Sequence, residues 1–302
     1  MTEWFAENIH FIMELLVEGL LIGMLYALIA LGFVLIYKAS DAINFAQGEL
    51  VMFAGYIVVA CINSLKVNLF VGILIGLAAM VVFGLVVERG MLRPLIGRPV
   101  VSIIMATIGL AYVLRGLSPM IWGYPTLEMK LPIRGMPWEV AGILVMPIYV
   151  VACGVSLLLL AAFGYFFLKS RSGIAMRAVA DDQQTALAMG INVQHFFAVA
   201  WAMAGVVAVV GGVIWGNLLG VDNMLALVGL KVFPVVILGG LDSVPGVVIG
   251  GLIVGAVESL AAGYLDPLVG GGTKDFAPYV LMILFLMFKP YGLFGQEIIE
   301  RV

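Results

Sequence analysis

Apolar residues fall in long blocks along this chain, separated by short polar interruptions. The blocks cover residues 12–37, 43–62, 67–87, 100–120, 140–168, 196–219, 247–260 and 276–288. Many reach the roughly 20 apolar residues that a helix needs to cross a hydrocarbon core of about 30 Å. With no water in that core, such segments satisfy their backbone groups internally, as helices. The pattern predicts an all-α, polytopic helical membrane protein of about eight or nine transmembrane or re-entrant helices. Residues 224–238 leave the count open, because this irregular stretch holds Gly229, Lys231 and Pro234.

The interruption at 169–192 is of another kind. It is long and polar, with Lys169, Arg171 and Arg177 at its start, Asp181 and Asp182 in its middle, and the helix formers Ala178, Ala180, Ala186 and Ala188 throughout. Gly190 stands where a helix C-terminus places a glycine. The spacing predicts a short amphipathic helix in a polar loop, a handle offered to a soluble partner, with 172–192 as its core. Its basic residues assign it to the cytoplasmic side, as do Arg89, Arg93 and Arg98 between the third and fourth blocks. The segment between these loops, residues 122–139, holds Trp122, Trp138, several prolines and mixed charge, and is expected on the outside. Three spans before the first basic loop put the N-terminus outside as well.

Composition agrees with the pattern. Of 302 residues, 64% are hydrophobic and 11% charged, which is too little charge to cover a soluble domain of this size. The net charge of −3 gives no basic face for nucleic acid. Cys61 and Cys153 lie singly in apolar runs and are expected to pack, not to bind metal or form a disulfide. His10 and His195 sit at block boundaries without a partner motif. The first residues, with Glu3, Glu7 and Glu14, lack the basic start and small-residue cleavage site of a secretory signal, so the first block is expected to stay in the mature chain. Gly270-Gly-Gly-Thr-Lys274 has the wrong order for a phosphate-cradling loop, and no nucleophile elbow or zinc signature is present. No cofactor and no catalytic residue is expected, and any ATP that drives this protein binds elsewhere.

Small residues recur at spacing four, as in Gly212-x3-Gly216-x3-Gly220, Gly246-x3-Gly250, Gly251-x3-Gly255 and Gly72-x3-Gly76. In lipid, that spacing lets helix backbones approach closely. A faint internal echo also runs through the chain. Asp41-x6-Gly48 opens the second block and Asp222-x6-Gly229 opens the irregular one, with Glu49 and Lys231 close to equivalent places. Repeat-built transporters show such symmetry and bind solute at broken helices. Polar groups inside the blocks are costly and mark candidates for a translocation path: Asn44, Gln47, Gly48, Glu49, Asn217, Lys231 and Glu258. Glu49 either pairs with a base such as Lys231 or stabilises a helix start that Asp41 or Asn44 caps. Thr107 is expected to bond a neighbouring helix, and Lys38, Arg115 and Lys289 to snorkel at block ends.

The stretches Tyr26-Ala-Leu-Ile-Ala-Leu-Gly-Phe-Val-Leu-Ile-Tyr37, Asp41-Ala-Ile-Asn-Phe-Ala-Gln-Gly-Glu-Leu-Val-Met52 and Gly239-Gly-Leu-Asp-Ser-Val-Pro-Gly246 resemble the LivH-type permease subunits of bacterial branched-chain amino acid ABC importers. The handle resembles the coupling segment of ABC importers, with Gln184-Thr-Ala186-x3-Gly190 as a degenerate form of Glu-Ala-Ala-x3-Gly. The resemblance implies one permease domain over 1–302, coupled to the ATPase through Arg177, Ala180, Asp181, Asp182, Thr185, Ala186 and Gly190. It also implies a multi-pass subunit of the bacterial inner membrane. Its partners would be a LivM-type second permease, two cytoplasmic ATP-binding subunits and a periplasmic solute-binding protein that holds most of the selectivity. Branched-chain or related hydrophobic amino acids are the expected cargo. Similar permeases serve urea, short amides and aromatic acids. The competing reading is an ion-coupled secondary transporter working alone, with Glu49, Glu258 and Lys231 as its relay.

Overall fold

The computed structural model describes residues 2–133, 136–140, 142–181 and 183–295. The chain is helical almost throughout. In order, the helices are α1 (Thr2–Ser40), α2 (Gln47–Ser64), α3 (Leu69–Val87), α4 (Val100–Trp122), α5 (Pro147–Lys169), α6 (Arg171–Asp181), α7 (Gln183–Ala188), α8 (Val193–Leu219), α9 (Val228–Gly239), α10 (Val244–Tyr264), α11 (Asp266–Val269) and α12 (Thr273–Leu286). Among the described residues, seven helices are long and apolar enough to cross a membrane. At 1.5 Å per residue, α9 spans about 18 Å and α12 about 21 Å, short of a core of about 30 Å. Residues 224–238 therefore do not form a full-length spanning helix.

The block expected at 140–168 starts later. Strands β1 (Trp138–Val140) and β2 (Ile143–Val145) pair antiparallel, Trp138 opposite Val145, and α5 begins only at Pro147. Gly142 takes φ +83° at the turn, a conformation that the hairpin needs and glycine adopts without strain.

The chain forms two compact units. One holds Met1–Ala30, Pro132–Leu160 and Lys231–Val302; the other holds Leu31–Leu131 and Ala161–Leu230. In the first, α1 and α10 cross on glycine. A Cβ on Gly19 would lie 2.6 Å from the Gly255 carbonyl oxygen, and one on Gly255 would lie 2.6 Å from the Gly23 Cα. These are the close backbone approaches that small residues permit in lipid. Gly239, Gly246 and Gly250 bring α9 against α10 in the same way: a Cβ on Gly250 would lie 2.5 Å from the Val235 carbonyl oxygen.

In the second unit, α8 runs between α2 and α3. Gly212 meets the Val51 carbonyl, and Gly84 and Gly205 set the α3 crossing. Gly84 against Trp201 places the end of α3 beside the start of α8. The basic segment after α3 and the handle before α8 thus leave this unit at the same end. Its other end is closed by a bridge of Leu127 with Val221 and by the Thr126 hydroxyl donating to Asp222 at 2.8 Å. The segment after α3 is locked by Arg93, which donates twice to the buried Glu88 carboxylate at 3.3 Å.

Candidate functional site: two helix breaks and a handle

Two interruptions of the helical ladder meet in the second unit. The first follows α1, where Asp41 takes φ +52° and the chain stays non-helical until Gln47. Asn44 holds this break together. Its Oδ1 accepts from the Ala46 N–H at 3.1 Å and its Nδ2 donates to Gln47 Oε1 at 3.3 Å. Phe45 N–H donates to the Thr107 hydroxyl oxygen at 3.2 Å, and that hydroxyl donates within α4 to Ile104 at 2.8 Å. Thr107 so bonds a neighbouring segment, as expected. The cap differs from expectation: the residue before α2 is Ala46, and neither Asp41 nor Asn44 occupies that position.

The second break follows α8. Gly220 takes φ +84°, Asp222 Oδ1 accepts from the Met224 N–H at 2.8 Å, and a 3₁₀ turn (Asn223–Leu227) leads into α9. The breaks touch at Gly48 and Gly229. A Cβ on Gly229 would lie 2.5 Å from Gly48 Cα, and one on Gly48 would lie 3.0 Å from Gly229 Cα. The two glycines of the internal echo are each other's contact.

One turn into α2, Glu49 is 5% exposed, and its carboxylate pairs with Arg115 of α4, Nη2 to Oε1 at 2.5 Å. This corrects two expectations. Glu49 is not partnered by Lys231, and Arg115 does not snorkel from a block end, since α4 continues past it to Trp122. Asn223 joins them, its Nδ2 donating to the Arg115 carbonyl at 3.2 Å. Arg115 Nε and Asn223 Oδ1 are sealed from solvent without a hydrogen-bond partner, and so is Gln47 Nε2. Asn217 lies apart from this group, its Nδ2 donating to the Met129 carbonyl at 2.7 Å. Lys38 places its ammonium 5.6 Å from the centre of the Phe167 ring.

Lys231 and Glu258 belong to the first unit. Lys231 Nζ lies 3.0 Å from Glu258 and 2.7 Å from Asp275, so one cation holds two carboxylates on α10 and α12. Asp275 had given no sequence signal beyond its place in a polar loop. Among the described residues, no group of His, Cys, Asp and Glu is arranged to hold a metal ion.

The handle is helical on both sides of residue 182, over α6 and α7. In α6, Gly173, Met176 and Val179 are buried at helical spacing, while Arg171, Ser172, Ile174, Ala178 and Asp181 are exposed. A Cβ on Gly173 would lie 2.7 Å from Phe167 Cα, which seats α6 on the end of α5. Arg177 and Ala180 are half-buried, Thr185 is exposed, and Ala186 is 3% exposed. Asp182 lies outside the described residues.

The end of α7 shows why Gly190 is glycine. It takes φ +81°; its N–H donates to Leu187 at 3.0 Å and the Ile191 N–H reaches back to Ala186 at 2.9 Å. This pair of bonds is the Schellman closure of a helix. Asn192 then caps α8 by accepting from the His195 N–H at 3.1 Å. Ile174, Leu187 and Met189 remain more than half exposed on the handle.

Relatives are similar to this chain over nearly its whole length. The permease protein LivH of the high-affinity branched-chain amino acid transport system of Escherichia coli is 29% identical over 98% of this chain and 100% of its own. The corresponding BraD of Pseudomonas aeruginosa is 30% identical over 98% and 99%. The solved structure of PsaBC from Streptococcus pneumoniae in complex with Fab aligns with 96% of this chain and 97% of its own at 14% identity, with a TM-score of 0.46. Residues 15–288 match the family described as "Branched-chain amino acid transport system / permease component". With its multi-pass helical fold, this chain belongs to that family of transport permeases.

Proposed function

We propose that this chain is one permease domain, residues 1–302, of an ATP-binding-cassette importer that moves branched-chain amino acids into the cytoplasm. It sits in the bacterial inner membrane beside a second permease of LivM type. Two cytoplasmic subunits bind and hydrolyse ATP, and a periplasmic binding protein delivers the solute. The names of the full-length relatives support the cargo.

The handle is the observation that carries the mechanism. It leaves the second unit at the same end as the basic segment 88–98, and both are cytoplasmic by the positive-inside rule. Its outer surface combines Arg171 and Asp181 with exposed Ile174, Leu187 and Met189. Exposed apolar side chains beyond the membrane, ringed by charge, fit a docking surface for a soluble protein. Ser172, Arg177, Ala180, Asp181, Thr185, Ala186 and Gly190 form or brace that surface. ATP-driven movement of the bound subunits acts on α6 and α7, and through the Gly173 seat and the Asn192 cap on α5 and α8. Coupling needs only that the handle contacts the ATPase differently in its two states. Within the second unit, Asn44, Gln47, Gly48, Glu49 and Asn217 are the polar residues proposed for the path that then opens; Lys231 and Glu258 pair within the first unit.

Affinity purification of the tagged chain from its own membranes tests this reading. Retention of a Walker-type ATPase is expected, and loss of it when Leu187 and Met189 are both changed to Asp. Unchanged retention in that variant, or purification free of any ATPase, overturns it.

A further inference from the structure

Arg115 is in an unusual position for a guanidinium. It lies fifteen residues into α4, about 22 Å from Val100 at 1.5 Å per residue, with apolar helix continuing to Trp122. Even so, 39% of its side chain is exposed. A charged group at that depth carries a large cost against lipid tails, which favours a polar neighbour on its open side. Glu49 occupies only one nitrogen, Nη2. Arg115 Nε is left over as a donor. Asn223, anchored through its Nδ2 to the Arg115 backbone, leaves Oδ1 over as an acceptor beside it.

We infer that Glu49, Arg115 and Asn223 form a transient station for the charged head of an α-amino acid. The guanidinium takes the solute carboxylate on its remaining donors, a geometry that suits arginine better than lysine. These atoms are closed off in the packing seen here, so the solute reaches them only as the path opens; its ammonium then falls to Asn223 Oδ1 and the Glu49 carboxylate. Glu49 keeps the empty station nearly neutral, so a zwitterion exchanges partners there without leaving an unpaired charge behind. The station reads the part of the molecule that all amino acids share and leaves the side chain to the binding protein. This inference rests on the amino-acid cargo proposed above.

The test uses the complete importer in proteoliposomes, with binding protein outside and ATP inside, and reads leucine taken up per ATP hydrolysed. Arg115→Lys, Arg115→Gln and the double variant Arg115→Gln with Glu49→Gln are compared with the unaltered protein. A fall of at least ten-fold in all three supports the station. A pair that serves only as a structural clamp behaves differently, because removing both charges leaves no orphan. Recovery of the double variant, or of Arg115→Lys, to half the unaltered ratio or more overturns the station. Where Arg115→Gln does not assemble, Arg115→Lys, which keeps the charge, carries the same decision. An unaltered importer that takes up no branched-chain amino acid overturns the cargo and the station together, whereas leucine uptake with insensitive variants overturns the station alone.

Discussion

Gly48 and Gly229 meet backbone to backbone, so near that a Cβ on Gly229 would lie 2.5 Å from the Gly48 Cα. Each glycine starts the helix that follows a break, and the breaks are held by different side chains: Asn44 in one, Asp222 in the other. A side chain at either glycine forces the two breaks apart. Gly48→Val and Gly229→Val are each expected to cost several kcal/mol, in the range of overpacked cores. Both should lower folded yield and thermal stability in detergent. Gly109→Ala, at a glycine with open space around it, is the control and should leave both unchanged.

The Glu49–Arg115 pair predicts a pattern for stability that differs from its pattern for transport. Arg115→Gln alone leaves a buried carboxylate unpaired and should destabilise by roughly 2–4 kcal/mol. The double variant with Glu49→Gln should regain most of that loss in thermal melting of the purified subunit. No regain would show that the pair is not coupled in the folded protein.

Gly190 is held at φ +81° with open space where a Cβ would go. Substitution is therefore a matter of backbone strain, about 1–2 kcal/mol for a non-glycine residue in the left-handed region. Gly190→Val should fray the Schellman closure of α7 while the spans still insert. Uptake should fall at least five-fold, with membrane abundance within two-fold of normal. Normal uptake at normal abundance would count against the handle as the coupling element.

Asp266 governs a loop outside the spans. The Thr273 hydroxyl and N–H both donate to its Oδ1, which holds its carboxyl below the usual aspartate range. A carboxylate whose pKa is lower in the folded loop stabilises that loop above the ordinary aspartate pKa, and the contribution fades as pH falls through the lowered value. The Thr273 amide should stay protected from hydrogen exchange from neutral pH down to about pH 4. Asp266→Ala should expose it at neutral pH. Protection lost already near pH 5 in the unaltered protein would contradict this.

Much of the architecture was legible because membrane burial writes long uniform blocks, and because a polar segment such as 169–192 cannot hide among them. Gly190 announced a helix end through the one conformation that glycine adopts freely. The Gly48 and Gly229 echo was visible as spacing, though nothing in the spacing said that the two residues touch. Arg115 was misread for a physical reason. Its partner is 66 positions away, and a lone arginine near the end of an apolar block looks like a snorkelling residue. The seven residues of helix beyond it, through Trp122, were the available sign that it lies within the span. Asp275 was missed similarly, since pairing across α9, α10 and α12 leaves no local pattern. The start of α5 was misplaced because the β-hairpin at 138–145 is built from residues as apolar as the helix that follows.

The central claim is that this permease works only when driven by energy-supplying neighbours at its handle. The most direct measurement follows radiolabelled leucine into sealed vesicles that hold either this chain alone or the chain with its second permease, ATPases and binding protein. Accumulation against a gradient only in the complete, ATP-loaded vesicles is the predicted result. Accumulation by the chain alone, driven by an ion gradient, would contradict the account.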